Sequence, residues 1–365
     1  MRVAYGIHGY GRGHATRALA LLPELNRKHD VRVFAGGDAF ETLRDRYPVV
    51  RVPNLGFAYR RGRVSVTRTL WNNLPLVADI VRAGRHTRAV MESMREFAPD
   101  VVLCDCEPLT ARAAVLLSIP HVSVDHFGIM ARCKAPLPLL DWAKSFVDRT
   151  LYMAMFGGAR HALVSSFYHA QPRSKGVRVI GTLLRKEVRA VEMSSGNHLL
   201  AYFNRGSAQF TPGIAQVLGG AGAEVRLYGT GREGRAGHIW FRPASDRGFL
   251  EDLANARAVV GTAGNQLVGE AMYYGKPLLV MPEQSVEQRM NAAAIVRLGI
   301  GAAVVPKRFS PEILRAFMSR IELYAARTKR ESRDGRDEAL ATLDSWFAEI
   351  APKKRPAPML GEATA

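Results

Sequence analysis

The sequence predicts an α/β protein of two successive domains, each a doubly wound parallel sheet, and three observations carry that prediction. Short apolar runs alternate with stretches of helical spacing, the alternation starts afresh near residue 198, and each series holds a glycine-bearing turn that leads from a strand into a helix. Such alternation implies βα units, with parallel strands covered by helices on both faces. The length of 365 residues agrees, since one hydrophobic core rarely serves so long a chain.

The first series opens with the apolar run Arg2–Ile7, and from Ala15 to Leu25 the apolar spacing becomes helical. Strand-like runs follow at Val31–Ala35, Val49–Val52, Val101–Cys104, His121–Val124 and Ala162–Ser165, with helical stretches at 72–97 and 108–118. The second series has strands at Leu199–Phe203, Val225–Tyr228, Ile239–Phe241, Ala258–Val260 and Leu278–Met281, separated by helices near 212–219, 247–256, 265–274 and 286–298. The expected organisation is an N-terminal domain over 1–180, a linker over 181–196 and a second domain over 197–330. A helix over 331–351 is expected to return to the first domain, and a proline-bearing tail over 352–365, with its Lys353-Lys354-Arg355 cluster, to be disordered.

Composition narrows the class. With 47% hydrophobic and 23% charged residues the chain has the make-up of a packed protein and not of a disordered one. No apolar run approaches the roughly 18 residues that span a bilayer. The N-terminus turns glycine-rich and charged where a signal peptide needs an apolar stretch, so a cytoplasmic location is expected. Cys104, Cys106 and Cys133 make neither a disulfide framework nor a zinc spacing, and no metal site is expected. The net charge of 51 − 33 = +18 lies mostly in residues 1–195, which hold 29 basic and 16 acidic side chains. A basic field suits nucleic acid, an anionic membrane or an anionic small molecule, and the excess of 41 Arg over 10 Lys is equally a compositional bias. The basic residues are scattered over helices with no known reader motif, so no nucleic-acid partner is expected.

In open α/β sheets ligands bind at the carboxyl ends of the strands, where loops entering helices present unpaired N–H groups. Two loops fit. One is Gly6-Ile7-His8-Gly9-Tyr10-Gly11-Arg12-Gly13-His14, ahead of a helix carrying Arg17; the other is Gly261-Thr262-Ala263-Gly264-Asn265-Gln266, ahead of a helix carrying Glu270. The glycines of the first loop, at 6, 9, 11 and 13, miss the G-x-G-x-x-G pattern of a dinucleotide-binding dehydrogenase.

The segment Gly261–Val296, GTAGNQLVGEAMYYGKPLLVMPEQSVEQRMNAAAIV, resembles the donor-binding box of GT-B glycosyltransferases that use nucleotide-diphosphate sugars. The opening GYGRGHATRALAL resembles the acceptor-domain loop of the same superfamily. Together the two motifs extend the resemblance over nearly the whole chain, most closely to uncharacterised bacterial and archaeal glycosyltransferases related to the lipid II N-acetylglucosaminyltransferase, more distantly to plant UDP-glycosyltransferases. It implies the GT-B fold, two Rossmann-like domains facing a central cleft. It also implies inverting, metal-independent transfer of a hexosyl group from a UDP-sugar, or another such donor, to a hydroxyl acceptor, with no cofactor beyond the donor.

The resemblance also implies roles. Glu270 would accept the ribose hydroxyls, and the backbone N–H groups of Ala263, Gly264, Asn265 and Gln266, with Gly261 and the Thr262 hydroxyl, would hold the diphosphate. Plant relatives carry a histidine at the position of Thr262; Arg205, beside Ser207 after the first strand of the second domain, would supply that missing charge. Glu287-Gln288 would bind the donor sugar, although its spacing from Pro282 is one residue longer than in the plant box, which leaves the sugar open. His14 is the expected base, with Asp105 orienting it and Glu107 competing for either role. Gly11, Gly13, Arg17, Asp125 and His126 are expected on the acceptor side. Capping of a helix is the plain alternative for Asp105 and Asp125.

Two other functions compete. A non-hydrolysing nucleotide-sugar 2-epimerase shares the architecture, but Glu287-Gln288-x-x-Asn291 favours transfer; a basic nucleic-acid-binding protein is the other. Residues 51–95 hold nine arginines against Asp79 and Glu92, interleaved with Leu55, Phe57, Tyr59, Leu70, Trp71 and Leu74. This predicts docking on an anionic membrane surface and a lipid-linked or otherwise anionic acceptor, against the simpler reading of an amphipathic helix packed on the sheet.

Overall fold

The computed structural model describes residues 1–56, 58–60, 63–134, 141–194, 196–203 and 205–350. The expected tail over 352–365, Phe57, Arg61 and Asn204 lie outside these residues. In chain order the first domain has strands β1 (Arg2–Ile7), β2 (Asp30–Ala35), β3 (Val49–Arg51), β4 (Tyr59–Arg60), β5 (Arg63–Val64), β6 (Val101–Asp105), β7 (His121–Asp125), β8 (Cys133–Lys134), β9 (His161–Ser165), β10 (Gln171–Pro172) and β11 (Val177–Ile180). Four of them form two small antiparallel ladders, β4 with β5 and β8 with β10. The other seven form a parallel sheet of order β11-β9-β7-β6-β1-β2-β3. The second domain has β12 (Leu199–Tyr202), β13 (Val225–Tyr228), β14 (Gly234–Ala236), β15 (Ile239–Phe241), β16 (Ala258–Gly261), β17 (Leu278–Val280) and β18 (Gly301–Ala303), in the order β14-β15-β13-β12-β16-β17-β18. Only the edge strand β14 runs antiparallel in this sheet.

The helices of the first domain are α1 (Arg12–Lys28), α2 (Gly37–Leu43), α3 (Val66–Arg82), α4 (Arg85–Phe97), α5 (Pro108–Leu116), α6 (Gly128–Arg132) and α7 (Trp142–Phe156). After α8 (Lys186–Ala190) come α9 (Pro212–Gly219), α10 (Asp246–Asn255), α11 (Asn265–Tyr273), α12 (Val286–Leu298), α13 (Pro311–Met318), α14 (Ile321–Glu331) and α15 (Arg336–Ile350). The stretch 72–97 is two helices and not one: Ala83 turns into the left-handed region at φ 51, and the Asp79 carboxylate accepts the N–H groups of His86 and Thr87 at the start of α4.

Strand alternation sorts the core into layers. Val3, Tyr5 and Ile7 of β1 pack with Leu21 and Leu22 of α1 and with Leu343 and Trp346 of α15, so the last helix crosses back to the first domain. On the opposite face Ala4, Phe34 and Val102 meet Ile80 of α3, Met94 of α4 and Leu109 of α5. In both sheets the strand order reverses at a central strand, β1 in one and β12 in the other, and loops at such a switch point open into a crevice. Among the described residues no helix is long and apolar enough to cross a membrane.

Candidate active site

On the first-domain side the glycine loop is a tight wedge. Gly9 passes so close to Gly36 that an added Cβ would lie 2.0 Å from its carbonyl oxygen, and Gly11 sits at φ 82, a conformation that a side chain would strain. Its N–H donates to Asp38 at 2.8 Å. The wedge places His14 in the first turn of α1 and Arg17 one turn further, both over the end of β6. Asp105 ends that strand, fully buried. His14 Nδ1 lies 2.8 Å from Asp105 Oδ1, while Arg17 grips both carboxylate oxygens at 2.8 Å. Burial alone would raise the Asp105 pKa, but the Arg17 guanidinium and His14 hold it at about 2. An ionised Asp105 only accepts, so its contact favours a proton on Nδ1 of His14, while Arg17 Nη2, which only donates, lies 3.0 Å from the same nitrogen; Nε2 is left on the far side of the ring. The neighbouring His8 ring, centroid 5.2 Å away, is pushed to about 3 by burial and by His14, and stays neutral.

Four residues expected to face the acceptor or to act as a base are turned elsewhere. Glu107 accepts from the N–H groups of Leu109 at 3.1 Å and Thr110 at 2.6 Å, capping α5, and burial pushes its carboxyl up to about 7. A helix start has orphan donors to satisfy, and Glu107, not Asp105, satisfies them. Asp125 accepts from Gly128 N, from the Tyr152 hydroxyl and from Ser123. Arg17 is spent on Asp105. His126 is buried at the domain boundary, with Nδ1 2.7 Å from the Ser165 carbonyl and Nε2 3.0 Å from Asn291 Oδ1.

On the second-domain side β16 leads through Gly261–Gly264 into α11. The N–H groups of Gly264, Asn265 and Gln266 open that helix, whereas Ala263 N–H already donates to Gln288 Oε1 at 3.2 Å, a correction to its expected role. The Asn265 side chain is likewise committed, to Phe167 N and to the Ser165 carbonyl across the boundary. Glu287 receives a hydrogen bond from Asn291 at 2.5 Å and lies 3.3 Å from His126 Nε2, so both members of the Glu287-Gln288 pair have protein partners. Thr262 is buried beside them. Gly13 brings the start of α1 against the start of α11, its Cβ position 3.8 Å from that of Gln266. Two helix N-termini therefore converge on one cleft.

Glu270, 3% exposed, accepts from Gln266 Nε2 at 3.2 Å; burial raises its pKa and Arg185, 3.8 Å away, opposes the rise. Arg205 lies over the Tyr10 ring, 3.5 Å from its centroid, and 3.7 Å from Asp38. Its Nε and Nη2 are buried without a hydrogen-bond partner among the described residues, as is Nε of Arg185. The Ser207 side chain lies outside the described residues. Between the domains a cavity of about 410 Å³ is lined by Arg12, Asp38, Arg185, Tyr202, Asp246 and Glu270 among others, a size that suits a nucleotide. Arg185 was not singled out in the sequence because it sits in the connector between the domains, outside both glycine-bearing strand-to-helix loops.

A profile of glycosyl transferase family 1 matches residues 1–322. The chain belongs to that family. An uncharacterized glycosyltransferase from Methanosarcina acetivorans is 23% identical over 357 residues, 91% of this glycosyltransferase and 93% of the relative. A Clostridioides difficile UDP-N-acetylglucosamine--N-acetylmuramyl-(pentapeptide) pyrophosphoryl-undecaprenol N-acetylglucosamine transferase is 37% identical over 73 residues, 18% of each chain. Among solved structures, CalG4, the calicheamicin glycosyltransferase, superposes with a TM-score of 0.67 at 17% identity, covering 96% of this enzyme and 100% of CalG4. The fold is GT-B, and the family makes the protein an enzyme of nucleotide-sugar glycosyl transfer with a donor and an acceptor, which sets aside the 2-epimerase alternative.

Proposed function

We propose that this glycosyltransferase is an inverting, metal-independent hexosyltransferase that moves a sugar from a UDP-sugar to a hydroxyl of a lipid-linked or otherwise anionic acceptor. What supports the reading is the His14–Asp105 pair at the start of α1, which Gly13 brings against the start of α11, together with Glu270 in the cavity between the domains and the unpartnered guanidinium donors of Arg205. The acceptor hydroxyl would give its proton to His14 Nε2 while its oxygen attacks the anomeric carbon from the face opposite the diphosphate. The anomeric C–O bond breaks and its electron pair leaves with the diphosphate. Arg205 Nε and Nη2 and the first N–H groups of α11 would take that developing charge, with Arg185 a further donor near Glu270. The Glu270 carboxylate would accept the ribose hydroxyls.

The UDP assignment is supported by the donor-box resemblance and by the UDP-sugar named for the Clostridioides difficile relative. The pyrophosphoryl-undecaprenol in that relative's name and the basic first domain support a lipid-linked acceptor. Screening hydrolysis and thermal shift across UDP-, dTDP- and GDP-sugars tests the donor, and the anomeric configuration of the product tests inversion. Stabilisation by UDP-sugars with an inverted product is expected; preference for dTDP- or GDP-sugars, or a retained configuration, would replace the corresponding part of the reading.

A further inference from the structure

One outer face of the first domain is unusually apolar. Of the sixteen large hydrophobic side chains exposed among the described residues, twelve lie on α3, α5 and α7, whereas an ordinary surface scatters them singly. Leu70, Leu74, Val77 and Val81 recur at helical spacing along α3, beside Trp71, which is 75% exposed. On α7 the Trp142 ring, 72% exposed, stacks on Phe146 with centroids 6.5 Å apart, and Val147 and Leu151 continue the exposed side. Neither stripe is needed for packing, because other residues of the same helices fill the core: Ile80 of α3 meets Ala4 and Phe34, and Tyr152 and Phe156 of α7 meet Cys104.

Both helices belong to one layer. Ala4 pairs in register with Val102, and Gly6 with Cys104, so residues 4, 102 and 104 point to the same side of the sheet. The helices packed on them, α3 and α7, therefore cover that side together, with α5 touching both. The charges on the outer sides of α3 and α7 are mainly basic: exposed Arg68, Arg82 and Lys144, whose Nζ also donates to the Gln284 carbonyl, and half-buried Arg149 stand against an equally half-buried Asp148, while Asp79 turns inward to the backbone of α4. The layer also reaches the cleft. Asn73 of α3 holds Gly56, which packs on the Tyr10 ring, and Asp141 ahead of α7 pairs with Arg289 of α12 at 2.7 Å.

We infer that the face made by α3, α5 and α7 docks on an anionic lipid bilayer, with Trp71 and Trp142 entering the headgroup region beside the basic residues. This inference rests on the proposed lipid-linked acceptor and says from which side that acceptor arrives. A bilayer fits better than a folded partner because the apolar stripe is rimmed by cations, and tryptophan, apolar in body with a polar N–H, favours the membrane interface.

Co-flotation with vesicles of equimolar phosphatidylglycerol and phosphatidylcholine tests it, beside pure phosphatidylcholine vesicles. The full chain should float with the anionic vesicles, and less so at high salt. The doubly substituted Trp71→Ser, Trp142→Ser protein should lose at least about tenfold in bound fraction, as should Arg68→Glu with Arg82→Glu. Both variants change exposed positions, and unaltered thermal unfolding and UDP affinity would show that they remain folded. No flotation at low salt overturns the inference. So does a dimer of the parent chain that the double tryptophan variant dissociates, since a second copy would then cover the face. Because UDP binding is read separately, failure of the donor assignment leaves the flotation result intact; flotation without transfer to any lipid-linked acceptor would remove the acceptor reading and keep the docking face.

Discussion

Nδ1 of His14 and Oδ1 of Asp105 are 2.8 Å apart, although 91 residues separate them in sequence. The contact fixes how the imidazole ring is turned, with Nδ1 toward the buried carboxylate and Nε2 on the far side of the ring. It is itself held by Arg17, whose guanidinium keeps the buried carboxylate ionised and prevents it from rotating away. An uncompensated buried carboxylate would cost several kcal/mol, and pairing with Arg17 offsets that cost.

If His14 is the base, His14→Ala should lower kcat by about 10²–10⁴ and leave the UDP dissociation constant nearly unchanged, because the imidazole meets only the acceptor. Steady-state kinetics beside calorimetry with UDP measures both. Survival of turnover would move the base elsewhere.

Glu270→Ala should weaken UDP binding by more than about tenfold, since hydrogen bonds to a charged group contribute roughly 1.5–3 kcal/mol. The pH dependence has a defined sign. Burial raises the Glu270 pKa above the usual value while Arg185 opposes it, and the ionised form is the stronger acceptor for ribose hydroxyls. UDP affinity should therefore fall as pH drops through that raised pKa, and Glu270→Gln should flatten the profile. An unchanged affinity in calorimetry would remove Glu270 from the site.

Arg205→Ala should affect UDP and uridine differently. A guanidinium that meets the diphosphate contributes to UDP binding by about 1.5–3 kcal/mol and to uridine hardly at all. Equal losses for the two ligands would mean that Arg205 only positions Tyr10 and Asp38.

Glu107→Gln should leave turnover within about threefold of the parent, because both carboxylate oxygens already serve the start of α5. Its effect belongs to stability. The Glu107 pKa rises from 4.5 to about 7 on folding, so the protonated group favours the folded state below about pH 4.5 and that contribution is lost as pH climbs to about 7. At 1.36 kcal/mol per unit the loss is about 3 kcal/mol, and chemical denaturation across this range should show a slope in the parent that the amide variant lacks. A tenfold fall in kcat would return Glu107 to the list of bases.

Much of the architecture was legible along the chain because strand and helix periodicities are local. Val225–Tyr228 and Ile239–Phe241 are strands with the bounds their apolar runs suggest, and the helix near 212–219 is α9. The loops around His14 and Glu270 were legible for a related reason: glycines packed between an apolar run and a helix mark a turn that can receive a ligand, whatever lies around it. Short edge strands such as β18 and the break between α3 and α4 were not, since three residues carry no period and a left-handed alanine carries no signal. Partnership was the larger matter that only tertiary structure decided. His126 meets Asn291 across 165 positions, Arg205 lies on Tyr10, and Arg185 reaches Glu270 from a connector. Whether Asp105 or Glu107 would cap α5 and which would face His14 likewise depended on how β6 ends against β1 and α1. Residue type and spacing say what a side chain can bond; the sheet order, by setting which strand ends lie side by side, says with whom.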